Sequence, residues 1–351
     1  MPNTDTPLDP IGDTAPEFNL DLEVTTNGDE DQFITSLRID DWNRFRGQEK
    51  VKESLSIVLQ AAKERNEAVD HILFYGPPGL GKTTLSHLIA KEMNAQLTVT
   101  SGTALAKSSD LASILTNLQP KDILFIDEIH RLPKPVEELL YTAMEDFALD
   151  IVIGKGPSAR TVRLDLPQFT LVGATTRFGS LSGPFRDRFG VIHRMEYYKP
   201  MELTTIIEEA AKTLQANVDQ ESKLALAKRS RGTPRIALKL LKRVRDFAQI
   251  RNKGEITPQS VEQALELMSI DALGLTHNDH FYLSTIITKH NGGPIGLSTI
   301  AAALSEDSVT IEEVIEPYLL QVGFIAKTPQ GRVITEQAYS HLQLKFDKKK
   351  P

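Results

Sequence analysis

The stretch HILFYGPPGLGKTTL, residues 71–85, constrains the fold more than any other part of the chain. An unbroken apolar run, HILFYG, passes directly into a glycine-rich turn and then into a helix-forming segment, TTLSHLIAKEM. Continuous apolarity marks a strand covered on both faces, as in parallel sheets flanked by helices. The alternation continues with a strand at AQLTVTSG, a helix at DLASILTNL, a strand at DILFIDEIH (122–130), a helix at VEELLYTAMED and a strand at FTLVGATTR (169–177). This order predicts an α/β fold built on a doubly wound parallel sheet. Before the last strand, DIVIGKGPSARTVRLDL (150–166) places two apolar strands around a Gly/Pro turn, which predicts an inserted β-hairpin.

The turn itself has a chemistry. GPPGLGKT between a strand and a helix is a P-loop. Gly76, Gly79 and Gly81 let successive backbone N–H groups turn inward on a β-phosphate, and the helix start adds its positive dipole end. Lys82 is expected to reach the β- and γ-phosphate oxygens, and the Thr83 hydroxyl to coordinate Mg²⁺, so ATP and Mg²⁺ are the expected ligands. LFIDEIH delivers Asp127 and Glu128 to the C-terminal end of a buried strand, where α/β sheets bind ligands. Asp127 would hold the magnesium and Glu128 would polarise the attacking water. GATTR ends in Thr175 and Thr176, placed to orient that water, and PFRDRFG (184–190) offers Arg186 and Arg188 for contact with the γ-phosphate of a neighbouring subunit. RGTPRIAL sets Arg235 just inside a helix start, within reach of nucleotide.

From Pro200 the pattern turns wholly helical, with Thr257 before Pro258 marking the start of the fourth helix. Past ALGLT (272–276), three helical segments and two short strands turning at Pro329 to Gly331 predict a winged helix-turn-helix. The absence of cysteine excludes disulfide scaffolds, thiolate metal sites and thiol nucleophiles. With no apolar run of about 18 residues, no membrane association is expected and the protein is read as cytoplasmic. The net charge of −7 conceals an asymmetry: residues 1–31 carry nine acidic residues and no Lys or Arg, so the remainder carries +2. Residues 223–253 hold eleven Lys or Arg against one Asp, a distribution that permits a nucleic-acid partner.

Assembled in order, GPPGLGKTTL, LFIDEIHRL, AMEDFALDIVIGKGP, FTLVGATTRFGSLSGPFRDRFG, RGTPRIA and EPYLLQVGFIAKTPQGR resemble the RuvB family of AAA+ ATPases, which drive Holliday-junction branch migration. The resemblance covers residues from about 33 to 345. It implies a large AAA+ P-loop ATPase domain at 32–199, a helical lid at 200–273 and a C-terminal winged helix at 274–345, while composition alone, acidic and poor in aromatics, predicts a disordered tail at 1–31, and 346–351 form a basic tail. It also implies roles: Lys82 and Thr84 on phosphate, Thr83 on Mg²⁺, Asp127 and Glu128 as the Walker B pair, Thr176 as sensor one, Arg188 as trans-acting finger and Arg235 as sensor two. Leu37 and Arg38 match adenine-side contacts, Tyr198 a further nucleotide contact, and Glu145, Asp146 and Phe147 lie near the site in the family. The hairpin at 150–166, with Ile151 and Ile153 at its apolar tip, corresponds to the one that docks on RuvA, and Lys327 and Arg332 of the wing to DNA phosphate contacts.

Two stretches depart from the family pattern: Arg38-Ile39 with Phe45-Arg46-Gly47, and the wing sequence Lys327-Thr328-Pro329-Gln330-Gly331-Arg332. The implied function is an ATP-driven DNA motor that forms homohexameric rings on duplex DNA and works on Holliday junctions with RuvA, and with RuvC as a further partner, in recombination and repair. The competing readings are a nucleotide-switched, winged-helix origin-binding initiator and a clamp loader. The inserted hairpin argues against the first, and the wing, where a loader carries a helical collar, against the second.

Overall fold

The computed structural model describes residues 28–153 and 160–344. The described residues divide into two compact units at 258/259. The first unit opens with α1 (Gly28–Ser36) and α2 (Glu49–Arg65). The expectation of an acidic tail through residue 31 is thus corrected at its end, because 28–31 already form the first turn of α1; residues 1–27 lie outside the described residues.

The core of this unit is a five-stranded parallel sheet. Its strands are β1 (Ile72–Tyr75), β2 (Leu97–Ser101), β3 (Ile123–Asp127), β6 (Thr170–Thr175) and β7 (Val191–Arg194), in the order β2-β3-β6-β1-β7. The first four are those the apolar runs predict. The edge strand β7 was not predicted, because VIHR is short and half polar. Every residue of β6 is buried, as its central position demands. Register aligns the strand ends: Tyr75 lies beside Thr175, and Ser101 beside Asp127. A second correction concerns β3, which stops at Asp127 and not at residue 130, since Glu128 turns into the left-handed region at φ 45° and Ile129–Arg131 form a 3₁₀ turn.

Between β1 and β2 runs α3 (Lys82–Met93), which packs on β3 and β6. Next come α4 (Ser108–Leu115) and α5 (Lys134–Asp146), whose Leu111, Leu115, Leu140 and Met144 bury against Leu73, Leu124 and Leu171 of the sheet. Each such side chain stabilises the fold by roughly 1.5–3 kcal/mol through apolar area removed from water. β4 (Ala148–Ile153) and β5 (Arg160–Asp165) form the expected hairpin, paired from Ala148↔Asp165 to Ile153↔Arg160. The short α6 (Gly183–Arg186) precedes β7.

The helical part of the unit holds α7 (Pro200–Thr213), α8 (Gln220–Arg229) and α9 (Pro234–Arg251), each with a local start signal. Lys199 N–H donates to Glu202 Oε2 before α7, Asp219 Oδ1 accepts from Ser222 N–H in α8, and the Thr233 hydroxyl accepts from Ile236 N–H in α9. Such caps contribute about 1 kcal/mol each. Proline at the first position of α7 and α9 presets φ for the helix.

The second unit contains α10 (Pro258–Leu267), most of which lies beyond the division, then α11 (His277–His290) and α12 (Leu297–Leu304). A further helix runs through α13 (Ser308–Thr310), a π-helical turn at Ile311–Ile315 and α14 (Glu316–Gln321). The antiparallel wing β8 (Ile325–Thr328) and β9 (Gly331–Ile334) and the final α15 (Glu336–His341) complete it. Tyr282, Leu283, Ile286, Ile300, Ile311 and Leu319 form its buried centre. Residues 259–273 cluster by contacts with this unit, where the Tyr318 hydroxyl donates to Leu273 O.

Candidate active site

The P-loop closes on itself through Lys82. Its ammonium donates to Gly76 O at 2.9 Å and to Pro77 O at 2.8 Å, which bends the side chain back over the turn. Gly79 and Gly81 adopt φ of 76° and 98°, a region costly for any residue with a Cβ. At Gly79 a Cβ would also come within 2.9 Å of Arg235 Cβ, so this glycine lets helix α9 approach the loop. Thr83 and Thr84 sit half-buried in the first turn of α3.

Across the loop, the C-terminal ends of β3 and β6 present their polar groups. Burial pushes the Asp127 carboxyl above the usual carboxylate range, against the Glu128 N–H that donates to Asp127 Oδ1 at 2.9 Å. Burial likewise lowers the Lys82 ammonium, with Asp127 and Glu128 opposing. Charges held in so poorly solvated a place are not neutralised by direct pairing: Lys82 spends its donors on carbonyl oxygens. A divalent cation and a phosphate fit this donor set, with Asp127 and Thr83 as oxygen ligands of the cation and Lys82 facing the anion.

Glu128 is held from two sides. Its Oε2 accepts from the Thr176 hydroxyl at 3.1 Å and lies 3.1 Å from His130 Nδ1, while that same nitrogen is 2.9 Å from Thr175 Oγ1. The left-handed backbone at Glu128 is what turns its side chain toward β6, and its carbonyl passes so close to Gly102 that a Cβ there would stand 2.4 Å from it. Backbone strain of this kind, about 1–3 kcal/mol, clusters at functional sites. The sequence reading placed Thr176 and Glu128 in the site and missed His130.

Tyr198 and Arg235 join the helical part to the loop. The buried Tyr198 hydroxyl donates to Leu80 O at 3.2 Å, Tyr198 N–H donates to Gly232 O, and Arg235 N–H points at Gly79 O at 3.4 Å. Arg235 also acts electrostatically on Asp127. Arg38 donates from Nη1 to His87 Nε2 on α3 at 2.6 Å, which places Leu37 and Arg38 beside the P-loop helix.

Arg188 has a different setting. Its guanidinium lies over the Tyr141 ring, 4.6 Å from the centroid, bonds the Tyr141 hydroxyl and pairs with Glu145 at 2.7 Å. Arg186 lies over Phe178 instead, 5.0 Å from its centroid. The expected trio at 145–147 therefore splits: Glu145 holds Arg188, Asp146 pairs with Arg163 at 2.8 Å, and Phe147 packs edge-on against Phe169 beside the domain core. Phe147, partly buried, packs against the domain core in this subunit. The side chains of Ile151 and Ile153 lie outside the described residues. On the partner strand β5, Val162 and Leu164 expose their apolar side chains. Neither was singled out from sequence, although their two-residue spacing puts both on one face of the hairpin.

In the wing, Lys327 and Arg332 turn inward to a carboxylate. Arg332 Nε donates to Glu316 Oε1 at 2.7 Å and Lys327 Nζ lies 2.9 Å from Glu316 Oε2, while the Tyr282 hydroxyl donates to the same Oε1. Burial would raise Glu316, but Arg332 and Lys327 overcome it and hold the carboxyl below its ordinary value. Of the two expected DNA-contact cations, Arg332 is the more buried against Glu316 and Lys327 the more exposed.

Family models for the RuvB Holliday junction DNA helicase P-loop domain, the RuvB AAA lid domain and the RuvB C-terminal winged-helix domain match residues 37–195, 198–271 and 272–343. Among solved structures, the Thermotoga maritima RuvB Holliday junction branch migration motor is 49% identical and superposes with a TM-score of 0.81, covering 88% of this chain and 99% of that one. Two single-residue variants of the same T. maritima protein match over the same shares, at 49% identity with TM-score 0.81 and at 48% with 0.80.

Proposed function

The chain belongs to the RuvB family of Holliday junction DNA helicases, P-loop ATPases that bind nucleotide and DNA, and from that premise we propose how its own residues couple ATP hydrolysis to DNA movement. Lys82 and the P-loop N–H groups hold the β- and γ-phosphates. Thr83 and Asp127 hold Mg²⁺, which when bound neutralises developing charge on the phosphate oxygens. Glu128, fixed by Thr176 and His130, accepts the proton of the attacking water. Arg235, on a helix whose start touches the P-loop, carries the change at the phosphates into the lid.

Arg188 acts in trans, in a homohexameric ring around duplex DNA. Freed from Glu145, it stabilises the γ-phosphate charge on the neighbouring subunit, which makes chemistry dependent on assembly. The hairpin at 148–165 docks on RuvA, with Val162 and Leu164 adding apolar surface beside the tip. RuvC joins the same junction complex. Among the described residues no helix is long and apolar enough to cross a membrane.

The observation that most supports this reading is the hydrogen bond of Thr176 to Glu128 at 3.1 Å, where the C-terminal ends of β3 and β6 adjoin. The test is dissociation of a synthetic four-way junction by this protein with RuvA, Mg²⁺ and ATP, beside Glu128→Gln. ATP-dependent dissociation that falls about 10²–10⁴-fold in the variant is expected. Hydrolysis and DNA binding without dissociation would favour a nucleotide-switched loader or initiator.

A further inference from the structure

Apart from the wing cations, the second unit contains a further cluster of titratable side chains. Asp271, in the turn that precedes α11, His280 on α11 and His341 at the end of α15 bring Oδ2, Nε2 and Nε2 within 4.8 Å of one another. Both imidazoles approach the same carboxylate oxygen, His280 at 3.0 Å and His341 at 2.6 Å. All three side chains are half-buried.

Asp271 and His341 are oriented from behind. Asp271 Oδ1 accepts from Leu273 N–H at 2.8 Å and from Leu275 N–H at 2.9 Å, which leaves Oδ2 to face the two rings. The His341 ring packs against Phe324 with centroids 5.1 Å apart, and the His280 and His341 rings lie 25° from parallel. Outer hydrogen bonds and packing of this kind set ligand direction in metal centres. Two imidazole nitrogens and one carboxylate oxygen suit a borderline divalent ion such as Zn²⁺ or Co²⁺, and not the all-oxygen preference of Mg²⁺ or Ca²⁺. A tetrahedral ion with bonds of about 2.0–2.1 Å needs its ligands roughly 3.3 Å apart, which small rotations of these side chains supply.

We propose that Asp271, His280 and His341 form a zinc-class metal site that clips the chain entering the winged-helix unit to both its first long helix and its last one, with solvent completing the coordination. The site lies wholly in that unit and is independent of the P-loop magnesium. It makes the stability of the unit dependent on the ion through mass action.

The test uses the untagged full chain, stripped with chelator, with the P-loop saturated by ADP and excess Mg²⁺, and titrated with Co²⁺ followed by Zn²⁺ competition. One Co²⁺ with visible absorption of four-coordinate strength is expected, displaced by Zn²⁺. His280→Gln and His341→Gln should each weaken binding at least tenfold, while His290→Gln, at the far end of α11, leaves it unchanged. Zinc-edge X-ray absorption on the wild-type chain gives a count that no variant's folding can confound, and two imidazoles are expected. Failure to bind Co²⁺ at millimolar concentration, equal affinity in the variants and wild type, or any other imidazole count overturns the proposal and leaves a hydrogen-bonded Asp–His cluster.

Discussion

Two charge clusters in this molecule handle burial in opposite ways. Around the P-loop, Lys82, Asp127 and Glu128 are brought together with the first two displaced toward their neutral forms, and the lysine is turned onto backbone carbonyls. In the winged helix, Glu316 is completely buried yet held ionised by Arg332, Lys327 and the Tyr282 hydroxyl. The first arrangement leaves charge to be satisfied by something that comes and goes; the second satisfies it within the chain. Burial alone does not distinguish a working site from a structural one, whereas the source of the compensating charge does.

The largest effect expected from this contrast falls on turnover. Arg188→Ala should lower ATP hydrolysis about 10³-fold. Mixing that variant with Glu128→Gln should restore part of the rate, because some interfaces then pair an intact Glu128 with an intact Arg188. Steady-state ATPase at varied mixing ratios checks this, and a mixture no better than its components would confine Arg188 to its pairing with Glu145.

Next in size is the winged-helix cluster. Arg332→Ala removes the better-buried partner of Glu316 and should destabilise that unit by about 3 kcal/mol, the low end for a broken buried pair because Lys327 and Tyr282 remain. Lys327, 40% exposed, should cost under about 1 kcal/mol when changed to Ala but reduce the salt slope of DNA binding by about 1. Hydrogen exchange of the α11 amides and DNA affinity at several salt concentrations separate the two. Equal losses of stability would break the contrast within the cluster.

The smallest effect is on pH dependence, where the two clusters should slope in opposite directions. Glu316 has a lowered folded value, so its stabilisation is present above the ordinary glutamate range, about pH 4.3, and is lost as pH falls through that folded value. Asp127 has a raised folded value, so in nucleotide-free protein its unfavourable contribution at neutral pH is relieved as pH falls through it. Trp42, the single tryptophan, reports the first unit by fluorescence, and exchange of the α11 amides reports the second. Parallel slopes would show that the clusters do not differ in kind.

Much of the site was legible before the fold because its chemistry is tied to local chain geometry. The P-loop needs glycine, lysine and threonine in consecutive positions, and Asp127 and Glu128 end a strand whose apolar run is unmistakable. His130 was not legible, since its contact with Glu128 and Thr175 depends on a backbone reversal that no residue type signals at φ 45°. The separate settings of Glu145 and Phe147 were not legible for a related reason: they are neighbours in sequence, but with the left-handed turn at Phe147 its ring packs on Phe169 while Glu145 reaches Arg188.

The sequence by itself determined the alternation that builds four of the five sheet strands, their parallel arrangement and the identity of the phosphate-binding turn, because period, capping and glycine placement are properties of short stretches of chain. Tertiary structure alone decided which charges meet. Glu316 with Arg332, Arg188 with Glu145, and Asp271 with His280 and His341 are separated by 9 to 70 positions, and their pairing follows from how helices and strands pack. A charge's role depends on the dielectric and partners around it, and those exist only once the chain has folded.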